Sequence, residues 1–162
     1  MRKSANGLVS EIEATMGEGF LPRIYRERIL KMRTRAYEFP FLPKNATAQI
    51  HHTLLGIELN AGRRRMLCPD LPTARYLAVF ARIGCKAVAI PYDITKISQI
   101  ADELESSWHR MLRLADEASR DRSKGYAARL RRLLIHAVRD QISAAGAGPR
   151  APEFARTTKQ RG

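Results

Sequence analysis

Few residues in this chain are of the types that break bonds, and their spacing suits catalysis poorly. Histidine occurs four times, as His51, His52, His109 and His136. None has a companion at H-x-x-x-H spacing, and neither cysteine sits in a C-x-x-C pair, so no metal site is legible. His51 and His52 are adjacent on an expected strand, which points them to opposite faces. Cys68 and Cys85 lie 17 residues apart with no local histidine; each is expected to be a buried structural thiol. Glycine patterns for phosphate or dinucleotide cradles are absent, and so is G-x-S-x-G. No cofactor is implied.

One hydrolytic arrangement can be assembled. Glu58 and Asp70 could hold a divalent cation, with Lys86 nearby, as metal-dependent nucleases do. The resemblance to the PD-(D/E)xK nuclease pattern stops at Pro69-Asp70, because no [DE]-x-Lys follows at usable spacing. Asp70 also has a simpler job, capping the helix that Pro72 opens. A nuclease is therefore the third-ranked function.

The cations carry more information. The 162 residues contain 29 Lys and Arg against 16 Asp and Glu, a net charge of +13. Such an excess repels itself in the compact state and favours polyanionic partners. Arginine dominates, which a GC-rich genome could explain, but such a bias does not remove acids. The distribution is uneven. Residues 1–65 carry 12 cations and 6 acids, residues 66–119 carry 6 and 7, and residues 120–162 carry 11 and 3. A neutral middle is flanked by two basic ends. Three clusters stand out: Arg23, Arg26, Arg28, Lys31, Arg33 and Arg35; then Arg63 and Arg65 with Arg64 between them; then Arg120, Arg122, Lys124, Arg129, Arg131, Arg132 and Arg139.

These side chains depend on the elements that position them. Residues 8–16 suit a short helix closed by Gly17. Pro22 opens a basic amphipathic helix over 22–37, with Tyr25, Ile29, Met32 and Ala36 on its apolar face. Residues 38–44, EFPFLPK, form an extended arm. Phe39, Phe41 and Leu42 either strap the core or offer a stacking platform for bases. Residues 49–59 and 63–68 form a β-hairpin around a three-residue turn, Asn60-Ala61-Gly62. That register sets Glu58 opposite Arg64 and places Arg63 and Arg65 on the face of Ile57 and Leu59.

Asp70 then caps a helix ended by Gly84, buried through Leu71, Ala74, Leu77, Ala78 and Ala81. Residues 85–91 form a strand, completing a βαβ-like element. Asp93 caps a long helix whose Ile97, Ile100, Leu104, Trp108, Met111 and Ala115 make one apolar stripe. Tyr126, Leu130, Leu133, Leu134, Ala137, Val138 and Ile142 make another, so the last two helices are expected to pair antiparallel.

The expected fold class is α+β: a small sheet with a β-hairpin and a βαβ-like element, followed by two long C-terminal helices. The chain divides into a basic N-terminal helical segment with its Pro/Phe arm (1–44), an α+β core (45–143) and a disordered basic tail (144–162). No apolar run is long enough to span a membrane, and Met1-Arg2-Lys3 is not followed by a signal sequence, so a cytoplasmic location is expected. The function these features imply is non-enzymatic nucleic-acid binding through phosphate contacts. DNA ranks above RNA because few aromatics are available to stack unpaired bases. The alternative is an adaptor binding acidic protein surfaces. Its homodimer or partner seam would be the Ile97, Leu104, Trp108 and Met111 face.

Overall fold

The computed structural model describes residues 4–40 and 48–148. Its first helix, α1 (Ala5–Met16), starts where Ser4 Oγ accepts the Gly7 N–H at 3.1 Å and ends at Gly17, whose φ is +54°. Ala5, Val9, Ile12 and Met16 recur at spacings of four and three and are all buried.

A short α2 (Leu21–Ile24) follows, with Pro22 in its first turn. Over Tyr25–Ile29 the coil widens, and the Leu30 N–H reaches five residues back to the Tyr25 carbonyl at 2.9 Å. The helix then stops, and Thr34–Glu38 is a strand, β1. The expected basic helix over 22–37 is thus cut short. A spacing of four, as between Met32 and Ala36, keeps one face in either a helix or a strand, so periodicity could not tell them apart. Pairing with β5 (Ala87–Pro91) decided the matter, in register from Thr34 opposite Pro91 to Glu38 opposite Ala87.

A second sheet is a meander of β2 (Gln49–Thr53), β3 (Gly56–Ala61) and β4 (Arg64–Cys68). The expected single strand over 49–59 is broken by the turn at Leu54-Leu55. Thr53 Oγ1 accepts the Leu55 N–H and donates to the Gly56 carbonyl, both at 3.1 Å. The hairpin register also differs from the expected one. The loop is Gly62-Arg63, with Gly62 at φ +64°, and Ala61 pairs with Arg64, Asn60 with Arg65 and Leu59 with Met66. This shift of three residues exchanges the faces. Arg64 now shares the inward face with Leu59 and Met66. Arg65 lies on the outward face with Glu58, and Glu58 stands opposite Leu67, not Arg64.

Asp70 caps α3 (Leu71–Ile83), its Oδ1 accepting the Thr73 N–H at 2.7 Å, and left-handed Gly84 closes the helix at φ +94°. The helix buries Ala74, Leu77, Ala78, Phe80 and Ala81, whereas Leu71, expected inside, is exposed at the first turn. No βαβ unit forms among the described residues. The strands flanking α3, β4 and β5, belong to different sheets, and every described strand pair is antiparallel.

The two long helices are α4 (Ile94–Ala118) and α5 (Lys124–Ala145). Helix α4 lies on α3, while α5 packs mainly along α1 and less on α4, its expected partner, to which Arg131 ties it through Asp116. Ile97, Ile100, Leu104, Trp108, Met111 and Ala115 are buried in the chain's own core. The expected dimer or partner seam is therefore already covered within the chain itself. The architecture is α+β, with two small antiparallel sheets held among the helices around one core. Helix α5 runs to Ala145, into the stretch expected to be tail, and the remainder of that stretch beyond Gly148 lies outside the described residues. Phe41 and Leu42 of the arm lie outside them too, whereas Phe39 is buried edge-on to Tyr37.

Candidate nucleic-acid interface

Half of the first cluster is held by protein groups. Arg23 and Glu27 are one turn apart and pair at 2.9 Å, which holds the Glu27 carboxyl below its ordinary range. Arg26 donates to Gln141 Oε1 at 3.2 Å, tying the N-terminal segment to α5. Arg28 pairs with Glu103 of α4. Lys31, Arg33 and Arg35 remain exposed, beyond the end of the helix, with no ion pair among the described residues.

The third cluster divides differently. Arg131 forms a two-pronged pair with Asp116, at 2.8 and 3.0 Å, across the α4–α5 turn, and this lowers the Asp116 carboxyl. Arg139 turns inward and donates to the Ile83 carbonyl at 2.9 Å, beside Gly84. Arg122 lies over the Tyr126 ring at 4.4 Å. Arg120, Lys124, Arg129 and Arg132 are exposed and make no ion pair among the described residues. Arg129 and Arg132 are three residues apart, hence on one helix face, and His136 continues that face one turn on. Ser123 caps α5 by accepting the Tyr126 N–H at 3.1 Å, which fixes the helix start and aims these side chains outward.

Arg63, Arg64 and Arg65 are all exposed at the hairpin loop or the start of β4. They are split among the loop, the inward face and the outward face, so they do not share one strand face.

Other cations have structural roles. Arg75 of α3 binds Glu105 and Asp102 of α4, and these two bonds raise its pKa further. Arg82 donates to the Ala48 carbonyl at 3.1 Å. The surface grooves along α4 are lined by Asp102, Glu103 and Glu105 together with Arg110 and Arg113, a mixed charge.

The hydrolytic trio does not assemble. Glu58 is on the outward face of β3 and Asp70 is engaged in its cap. Lys86 precedes β5 in the other sheet, where its carbonyl accepts the Phe39 N–H. Among the described residues, no group of three His, Cys, Asp or Glu is placed to hold a metal ion. Both thiols are buried, and burial pushes Cys68 up to about 11 and Cys85 up to about 12.

The sequence reading missed Tyr92. It follows β5, is 42% exposed, and has Arg33 and Arg35 over its ring at 5.0 and 5.7 Å. The signal was indirect, because only the β1–β5 pairing brings residue 92 beside residue 33.

No protein-family model, curated protein or solved structure matches this chain. Among the described residues, no helix is long and apolar enough to cross a membrane.

Proposed function

We propose that this protein is a non-enzymatic nucleic-acid-binding protein that grips the phosphate backbone through the α4–α5 turn and the first half of α5. One observation carries the reading. Arg120, Lys124, Arg129 and Arg132 are exposed with no acidic partner among the described residues, while neighbouring Arg131 and Arg139 are held by protein groups. Backbone contacts need only cations on a shared surface, and each phosphate neutralised releases condensed counterions. Arginine suits the task because its planar fork matches phosphate oxygens. The test is a titration of labelled duplex DNA and RNA at several salt concentrations. Affinity should fall steeply with salt, and Arg129→Ala with Arg132→Ala should weaken binding and flatten that slope.

A second reading, an adaptor for another protein, has its own observation. Leu54 and Leu55, at the β2–β3 turn, are 107% and 80% exposed, and Leu67 is exposed on the outward face of β4. Loss of a protein partner on Leu54→Ser with Leu55→Ser, with nucleic-acid affinity unchanged, would favour it.

A further inference from the structure

The Arg33, Arg35 and Tyr92 group lies apart from the α5 cations. Gly148, just past the end of α5, lies beside Thr34 Oγ1, so β1 begins near the C-terminal end of that helix. Arg129 is 17 residues before Gly146, or about 25 Å along the helix at 1.5 Å per residue. One phosphate cannot touch both places.

The local geometry is specific. The Tyr92 N–H donates to the Arg33 carbonyl at 3.2 Å, extending the β1–β5 ladder by one pair. Arg33 and Arg35 alternate with Thr34, so they stand on the same strand face, roughly 6.6 Å apart along β1. Both guanidinium groups lie over the one ring, within cation–π range. The nearest acids by position are engaged or turned away. Asp93 accepts the Thr95 N–H and hydroxyl at 2.9 and 2.7 Å, and Glu38 lies on the opposite face of β1. Two planar cations thus converge beside an exposed aromatic ring, with no acid among the described residues paired to either.

We propose that Tyr92, Arg33 and Arg35 form a subsite for one unpaired nucleotide, with its base against the free part of the ring and its phosphate between the two guanidinium groups. The proposal rests on the nucleic-acid reading above and adds to it the class of strand recognised. Bases inside a duplex are stacked on each other and present no face to a side chain. An unpaired base does present one, and aromatic rings take it without regard to sequence.

The experiment is fluorescence anisotropy with a labelled single strand and the blunt duplex of the same sequence, at one fixed salt concentration. Tyr92→Leu should weaken single-strand binding about tenfold, within the range of one lost base–aromatic stack. It should leave duplex binding and the thermal unfolding midpoint unchanged, and Tyr92→Phe should bind as the unmodified protein does. Equal effects on both strands, or none on either, would overturn the subsite while leaving the α5 interface standing. If the unmodified protein binds neither strand at low salt, both readings fall together.

Discussion

The hydroxyls of Tyr25 and Tyr76 converge on a single residue, Ala89. Tyr25 Oη accepts the Ala89 N–H at 2.9 Å, and Tyr76 Oη donates to the Ala89 carbonyl at 2.5 Å. Hydrogen-bonded pairs of the β1–β5 ladder fall at Arg33 with Tyr92 and Phe39 with Lys86, hence at odd positions of β1. Ala89, opposite Ala36, therefore turns its own N–H and C=O away from β1, toward the core. A two-stranded sheet buried among helices would leave those groups orphaned, and the two tyrosines take the place of a third strand. Tyr25 also donates to the Gly146 carbonyl at 2.6 Å, which ties the end of α5 to the same point.

Replacing Tyr25 with Phe should leave the Ala89 N–H and the Gly146 carbonyl without their partner. The expected loss is about 1–3 kcal/mol, read as a lower urea midpoint at unchanged slope. Tyr76→Phe should cost a similar amount by orphaning the Ala89 carbonyl. Because both act on one residue, the double variant should depart from additivity.

Stability should fall at alkaline pH. Burial raises Tyr25 from 10.0 to about 12 and Cys85 from 9.0 to about 12. Both groups are almost wholly neutral in either state below about pH 8, the unfolded thiol being half ionised at 9.0. Between the unfolded and folded values the unfolded chain releases these protons and the folded chain keeps them, so rising pH favours unfolding. The urea midpoint should hold to about pH 8 and then drop toward pH 12, less steeply in Cys85→Ala. The same burial should keep Cys85 unreactive toward iodoacetamide until the protein unfolds.

Gly84→Ala should destabilise α3 at its end. A Cβ there would lie 2.9 Å from Arg139 Nη2 and 3.0 Å from its Nε, at a backbone φ of +94°. The left-handed conformation alone costs about 1–2 kcal/mol, and displacing Arg139 forfeits its bond to the Ile83 carbonyl. Thermal unfolding of Gly84→Ala, Arg139→Ala and the pair would separate the two contributions.

Leu54→Ser with Leu55→Ser should leave stability within about 0.5 kcal/mol of the unmodified protein, because neither side chain is buried. A clear loss in a urea titration would show that the turn packs in a way its exposure denies.

Helix ends and long apolar stripes were legible in the sequence. Asp70, Gly84, Asp93 and Gly17 act where their chemistry placed them, and the α4 stripe from Ile97 to Ala115 is core as its spacing required. Long-range pairing was not legible. Residues 34–38 fit a helical face and a strand face equally, and only contact with β5 settled them. The hairpin register turned on whether Gly62 opens or closes the loop, a choice that local sequence leaves open. At the candidate interface, the type of each cation was plain but its employment was not. Arg23 and Glu27 were readable as a one-turn pair. The engagements of Arg28 with Glu103, Arg131 with Asp116 and Arg139 with the Ile83 carbonyl depend on how separate elements pack. The sequence also counted few aromatics for stacking, and that ground for preferring DNA weakens with Tyr92 exposed beside two arginines.

On the proposed function, the solvent-facing cations of α5, and not the arginines already held by protein groups, grip a nucleic-acid backbone. The most direct measurement compares duplex affinity across a salt series for Arg129→Ala with Arg132→Ala against Arg23→Ala with Arg28→Ala. The unmodified protein should show a steep negative salt slope, reduced by about two in the first double variant and unchanged in the second. Equal losses in both, or binding indifferent to salt, would contradict it.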